Sequence, residues 1–338
     1  MLSLFNLNPD QGQGPAATAL VKEEQGHKAV SFLEKYGTLL GLFIICAIFT
    51  VLTPNFLHRD NLLTIVTQAS AVGIISIGLT LVMITGNTDL SFGSICGLSG
   101  MTTAFLMSVN GNPLVSILAG LGVGVVFGLL NGWLVVKIRI QPMVATIAVQ
   151  AIAFGLAYFY SGGVDIHSGE TSPFTWLGKG FIGSIPVPAV LLLIIMVVAE
   201  YTMRYTRIGR YFYAIGGNSV AAKFSGIHVS FYKVLAYVIA GVLASTAGIL
   251  MFSRLSYGAA YTGQGYLLDA FAAVFLGFTL LKGGKANITG SVVGALFMGI
   301  LNNGFQLLNV SFVLQILLKG VALLLIVSTN SFLSMKKE

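Results

Sequence analysis

Long apolar stretches with almost no charge constrain this chain more than any other feature of its sequence. Only 9% of the 338 residues are charged and 56% are hydrophobic, whereas a soluble domain carries roughly a quarter charged residues. The apolar runs are about 20 residues long, which is enough to cross the ~30 Å hydrocarbon core of a bilayer. The sequence therefore predicts an all-α, polytopic membrane helix bundle.

Ten apolar runs, separated by turn residues, are predicted to cross the membrane as helices. They run approximately from Tyr36 to Thr53, Leu62 to Thr85, Phe92 to Val109, Pro113 to Val136, Met143 to Tyr160, Val187 to Met203, Phe231 to Phe252, Leu267 to Leu281, Ile288 to Leu308 and Phe312 to Ser328. The transmembrane permease domain then covers residues 36–330, between cytoplasmic tails at 1–35 and 331–338. The first tail is polar and does not resemble a cleaved signal peptide.

The distribution of basic residues predicts the orientation of these spans. With the N-terminus in the cytoplasm, fourteen of the 18 Lys and Arg residues fall on the cytoplasmic side. Only Arg59, Lys179 and Arg254 fall outside, and Lys319 lies within the last span. Because cytoplasmic loops of membrane proteins carry an excess of Lys and Arg, both termini are predicted to be cytoplasmic. The net charge of +7 therefore reflects topology and lipid contact, and we expect no nucleic-acid partner.

Two polar segments lie between the predicted spans. Residues 161–186 form an external loop that is long enough to be a docking surface, and residues 205–230 form its cytoplasmic counterpart. Long loops with their own local structure are more often functional than not. We therefore expect both segments to contact partners.

A catalytic site within the membrane is not supported by the sequence. Ser99 lies in a Gly97-Leu98-Ser99-Gly100 string that intramembrane serine proteases also use, but a serine nucleophile needs a base within hydrogen-bond reach. The four histidines all fall in predicted loops or the tail; they are His27, His58, His167 and His228. We expect no catalytic residues in this chain.

The sequence also lacks a nucleotide-binding loop and a metal site. Gly284 and Lys285 resemble the end of a phosphate-binding loop, but Ala286 stands where a Ser or Thr would hold magnesium. Cys46 and Cys96 both lie inside apolar stretches, where thiols are usually buried as small hydrophobic groups. If transport is driven by ATP, another chain must hydrolyse it.

Polar residues inside the predicted spans indicate a path for a hydroxyl-rich solute, because such residues are costly in lipid and default to functional roles. The predicted path and gating residues are Gln68, Asp89, Asp269, Phe271, Phe275, Asn302 and Asn303. The alternative is structural: the amides bond between helices, and Asp89 accepts from the first N–H groups of the helix that follows it. For Lys319, an acidic partner, a helix-end carbonyl and a snorkelling position all stay open.

The cytoplasmic loop contains the pattern of a short capped helix. Asn218 is an N-cap residue, and Gly226 suits a left-handed exit. Because a two-turn helix is marginal by itself, we expect it to dock into a partner. The predicted docking residues are Arg207, Gly209, Arg210, Gly216, Gly217, Asn218, Ala221, Ala222, Ser225 and Gly226. The alternative is an ordinary surface turn with basic anchors for lipid headgroups.

From about Thr53 onward the chain resembles the ribose-type branch of bacterial ABC sugar permeases. The resemblance is carried by an ordered set of strings: Pro54-Asn55-Phe56, Thr88 to Ser94, Thr206 to Ile227, Leu268-Asp269-Ala270 and Leu301-Asn302-Asn303-Gly304. In this family the segment that matches Asn218 to Gly226 is the coupling helix, which transmits ATP-driven closure and switches the permease pair between outward-facing and inward-facing states.

The resemblance also implies partners and a location. It implies the bacterial inner membrane, a second permease subunit, a periplasmic sugar-binding protein and ABC ATPase subunits that carry the ATP and magnesium, with no cofactor in this chain. Compared with the ribose permeases, this chain has the bulkier Phe278 and has Leu267 in place of an acidic residue, which favours a different solute or an asymmetric pair. An ion-coupled secondary sugar transporter is the alternative, and the sugar itself stays open.

Overall fold

The computed structural model describes residues 40–167, 173–279 and 286–335, and these ranges are mostly helical. The helices are α1 (Leu40–Leu52), α2 (Arg59–Ile84), α3 (Phe92–Asn110), α4 (Pro113–Gly132, continued by a π-helical turn at Trp133–Lys137), α5 (Pro142–Ser161), α6 (Trp176–Lys179), α7 (Val187–Tyr205), α8 (Arg207–Gly217), α9 (Ser219–Phe224), α10 (Val229–Leu255), α11 (Tyr266–Thr279), α12 (Ile288–Leu307) and α13 (Phe312–Met335).

Each of the ten predicted spans coincides with one of these helices. Seven helices are long and apolar enough to cross a membrane, namely α2, α3, α4 with its π-helical turn, α5, α7, α10 and α12, and the described parts of α1, α11 and α13 include shorter apolar helices. The chain is therefore a multi-pass helical membrane bundle, while the count of ten crossings stays a prediction. The predicted tail at 1–35 and the Gly284-Lys285 pair lie outside the described residues.

The helix α2 is the central element of the bundle, and α7 lies at its edge. In their most apolar windows, 83% of the residues of α2 are buried, against 22% for α7. The helix α2 packs against α7, α10, α11 and α12. A helix that is apolar on every side is stable either inside a bundle or in lipid, and these two helices represent the two cases.

Glycine residues on α4 allow its backbone to approach α10 closely, as the four-residue spacing of Gly120, Gly124 and Gly128 predicts. A Cβ at Gly128 would lie 2.7 Å from the carbonyl oxygen of Tyr237, and one at Gly124 would overlap the carbonyl oxygen of Gly241. The spacing therefore marks a real helix-packing face.

Short elements occur in the described parts of the external loop predicted at 161–186. Strand β1 (Ile166–His167) pairs with β4 (Tyr257–Gly258), and β2 (Phe181–Ile182) forms a hairpin with β3 (Ile185–Pro186). A 3-10 turn at Pro173–Thr175 precedes α6. The 3-10 turn, α6 and β4 contact α10, β1 contacts α3, and the β2–β3 hairpin contacts α7 and α2.

Candidate functional site

An amphipathic helix, α8, connects the end of α7 to the segment predicted to couple transport to ATP. It buries Phe212 and Ile215 and exposes Arg207 and Arg210. The sequence interpretation gave this loop one short helix and missed α8. The signal was present in the sequence, because Ile208, Phe212 and Ile215 recur at helical spacing.

The short helix α9 has the caps that its sequence predicts. The side-chain oxygen of Asn218 accepts hydrogen bonds from the N–H groups of Val220 and Ala221, both at 3.0 Å. Gly226 has a φ of +81°, a left-handed conformation that favours glycine. Val220 and Phe224 are 65% and 88% exposed, so α9 presents an apolar pair that sequence reasoning had not selected.

Backbone contact joins the α8–α9 unit to the central helix. A Cβ on Gly216 would overlap the carbonyl oxygen of Ile84, the last residue of α2, whereas a Cβ on Gly217 would meet nothing within 4 Å. Since α2 has 26 residues, it extends about 39 Å at 1.5 Å per residue. One continuous helix therefore connects the α8–α9 unit to the opposite end of the bundle.

The segment between α2 and α3, residues 85–91, is called the strap below. It contains Asp89, one of two buried aspartates among the described residues. Asp89 Oδ1 accepts hydrogen bonds from the backbone N–H of Ser91 at 2.8 Å and from its hydroxyl at 2.6 Å. Both bonds therefore come from Ser91, which lies just before Phe92, the first residue of α3. The predicted cap on the first helical N–H groups is wrong, because Asp89 forms a tight turn of its own.

Neighbouring helices hold the strap in place. The side-chain amide of Asn131, on α4, donates to the hydroxyl oxygen of Ser91 at 2.7 Å. The hydroxyl of Tyr237, on α10, donates to the carbonyl oxygen of Thr88 at 3.0 Å. The strap therefore connects α2, α3, α4 and α10 beside the α8–α9 unit.

The second buried aspartate forms an ion pair. The ammonium nitrogen of Lys319, on α13, lies 3.0 Å from Asp269 Oδ1 and 3.2 Å from Oδ2. Asn302, on α12, donates its amide to Oδ2 at 2.8 Å. Of the three positions left open for Lys319, the structure selects the acidic partner, and the three residues join α11, α12 and α13.

The other predicted path residues fall into separate contacts. Asn303 exchanges reciprocal amide hydrogen bonds with Asn61, at 2.8 and 3.0 Å. Gln68 donates to Gln306 at 3.5 Å. The structure therefore brings Asp269 and Asn302 together, and it places Asn303 and Gln68 in other contacts between α2 and α12.

The two predicted aromatic residues lie on α11. The centroid of the Phe271 ring lies 6.0 Å from that of Phe92 and 6.2 Å from that of Phe275. Phe275 in turn contacts Phe278 at 5.3 Å. These rings form a row along α11 that reaches α3, and their part in a path stays a prediction.

Ser99, the residue that suggested an intramembrane hydrolase, bonds between helices. Its hydroxyl oxygen lies 3.0 Å from the carbonyl oxygen of Gly120 and 3.2 Å from that of Ser245. A serine hydroxyl has one hydrogen to donate, and that of Ser99 is directed to these carbonyl oxygens. Ser99 therefore has a packing role between α3, α4 and α10.

Comparison with known proteins gives a consistent result. The family described as "Branched-chain amino acid transport system / permease component" matches residues 61–327. The ribose import permease protein of Escherichia coli K12 is 40% identical over 304 residues, which cover 89% of this chain and 95% of the relative. That of Bacillus subtilis 168 is 40% identical over 87% of this chain and 92% of its own. The D-allose transport system permease protein of Escherichia coli K12 is 33% identical over 94% and 99%.

Proposed function

This chain belongs to the branched-chain amino acid transport system / permease component family, and relatives over most of its length are named as a ribose import permease and a D-allose transport system permease, so we propose that it is the translocation subunit of an ATP-driven sugar importer. A second permease subunit, a periplasmic sugar-binding protein and an ABC ATPase would complete the assembly in the bacterial inner membrane. Both termini would then lie in the cytoplasm, on the ATPase side.

The observation that carries this proposal is the α8–α9 unit. The helix α9 has six residues, a well-formed cap and two exposed apolar side chains, Val220 and Phe224. A helix this short has too few contacts of its own to be stable alone. A groove on an ATPase would cover those side chains, and Arg207, Arg210 and Lys223 would surround the contact with positive charge. Exposed apolar residues with a polar rim are typical of protein interfaces.

The route of coupling follows from the contact between Gly216 and Ile84. Movement of the α8–α9 unit against the ATPase would press on the end of α2 and on the strap, which is bonded to α3, α4 and α10. Packed helices rearrange between discrete states rather than deform continuously. ATP-driven closure would in this way switch the bundle between outward-facing and inward-facing states.

The test is uptake of labelled pentoses, hexoses and polyols into vesicles that contain this chain, its presumed ATPase and its binding protein. We expect uptake of one sugar that requires ATP and disappears when the ATPase is omitted. Uptake driven by an ion gradient without the ATPase would instead support a secondary transporter, and would contradict the proposal.

A further inference from the structure

At the end of α2 farthest from the α8–α9 unit, the bundle contains an open cavity of about 410 Å³. Its walls come from the first turns of α2, from α6 and the β2–β3 hairpin, and from the end of α10. Two of the three basic residues that the charge distribution places outside, Lys179 and Arg254, line it. The cavity therefore lies on the predicted external side.

The polar groups in this cavity offer both donors and acceptors. On α2, the Thr64 hydroxyl donates to the carbonyl oxygen of Asp60 and the Thr67 hydroxyl to that of Leu63, each at 2.8 Å. Since each hydroxyl donates its hydrogen within the helix, its oxygen can act only as an acceptor for a solute in the cavity. Gln68, next along α2, adds an amide that can donate and accept.

Cationic donors face these acceptors across the cavity. The guanidinium of Arg254 carries five N–H donors in a fixed plane, and the ammonium of Lys179, held 3.0 Å from the hydroxyl oxygen of Ser256, carries three. The carboxylate of Asp60 also lines the cavity, so charges of both signs are present. This mixture suits a neutral solute whose hydroxyl groups both donate and accept.

A second, much smaller cavity adjoins this one. Thr67 and Arg254 also line a second cavity of only about 10 Å³, together with Tyr266 and apolar residues of α2, α7 and α10. A space of that size is at the lower limit for a single water molecule. In this conformation the second cavity, beside Arg254, is therefore too small to hold a sugar.

We propose that the cavity bounded by Thr64, Thr67, Gln68, Lys179 and Arg254 is an external vestibule that receives a neutral monosaccharide or polyol. This inference rests on the proposed function, because it assumes that the sugar arrives from the outside. It adds a reception site within a single permease chain, at which hydroxyl groups of the sugar exchange hydrogen bonds with α2 and Arg254.

Two neighbouring exposed positions on α2 provide a matched test. Thr64 lines the cavity, whereas Leu62, which is 41% exposed, does not. In the assembled transporter we expect Thr64→Trp to abolish most ATP-dependent sugar uptake by filling the cavity, while Leu62→Trp keeps it. Equal uptake by the two variants would overturn the vestibule.

A second measurement detects solute binding directly. The background chain carries Cys46→Ala, and its remaining Cys96 is only 1% exposed. In this background, Thr64→Cys is treated with a membrane-impermeant thiol reagent, with and without the transported sugar. We expect the sugar to slow labelling at Thr64→Cys and to leave labelling at Leu62→Cys unchanged; no protection at Thr64→Cys would overturn the vestibule. If the unsubstituted transporter shows no ATP-dependent sugar uptake, that result would instead contradict the proposed function.

Discussion

Asp89 and Asp269 are both almost fully buried, at 1% and 2% exposure, yet their surroundings differ. Asp269 has the ammonium of Lys319 within 3.0 Å and the amide of Asn302 at 2.8 Å. Asp89 has only Ser91 as a donor, and its Oδ2 is buried without a hydrogen-bond partner among the residues that the structure describes.

The difference teaches what each carboxyl group does for the bundle. A buried charge must be compensated by an opposite charge and by hydrogen bonds, or it strongly destabilises the fold. Asp269 meets that condition and joins three helices, so its negative charge is part of the structure. The strap around Asp89 needs the shape of a carboxyl group and one accepting oxygen, and no cation pairs with it in the described ranges.

The largest expected effect comes from removing the cation of the paired site. Lys319→Met leaves the Asp269 carboxylate buried and unpaired, which typically costs about 3–5 kcal/mol. We expect a loss of this size in the free energy of unfolding, measured by denaturant titration of the chain in mixed micelles. The double variant Asp269→Asn/Lys319→Met should recover most of it, because neither charge then remains.

The exposed Leu317, also on α13, supplies the control for this experiment. At 57% exposure, Leu317→Met should leave stability unchanged, since exposed substitutions away from special features rarely exceed about 0.5 kcal/mol. A double variant no more stable than Lys319→Met alone would show that the unpaired Asp269 carboxylate is not the cause of the loss.

An intermediate effect is expected where the strap meets the α8–α9 unit. Gly216→Ala places a methyl group against the carbonyl oxygen of Ile84, and overpacking of this kind costs about 1–3 kcal/mol. We expect ATP-dependent uptake to fall sharply while ATP hydrolysis by the assembly continues. Uptake and hydrolysis in the same vesicles are the measurements.

Its neighbour is the matched control. A Cβ on Gly217 would meet nothing within 4 Å in this chain, so Gly217→Ala adds no overlap with α2, and we expect it to keep more uptake than Gly216→Ala. If both variants transport normally, the contact between Gly216 and Ile84 does not transmit movement. The strap and the Asp269 site would then differ in local packing alone.

Much of this fold could be predicted from the sequence, because lipid imposes one strong rule. Each backbone group in hydrocarbon must be bonded within its own helix, so apolar length alone located the seven helices that are long enough to cross a membrane. Caps were also predictable, as Asn218 and Gly226 show, since both act within a few residues of themselves. The helix α8 was predictable by the same kind of rule, because Ile208, Phe212 and Ile215 recur at helical spacing.

Contacts between distant residues could not be predicted in the same way. Lys319 lies 50 residues from Asp269, and Asn303 lies 242 from Asn61, and nothing in a single sequence states which helix faces which. The positions of the polar residues were predictable, but their partners depend on helix rotation and packing.

The smallest expected effect tests the strap directly. In Asp89→Asn the side-chain oxygen still accepts from the N–H and hydroxyl of Ser91, and the amide replaces the unpartnered Oδ2. We expect a change within about 1 kcal/mol in the free energy of unfolding, whereas Asp89→Ala leaves the Ser91 N–H unsatisfied and should cost about 1–3 kcal/mol. Asp269→Asn, measured in the same micelles, should cost about 3–5 kcal/mol because the ammonium of Lys319 is left buried. If Asp89→Asn proves as costly as Asp269→Asn, the negative charge of Asp89 is itself structural, and a cation outside the described residues must compensate it.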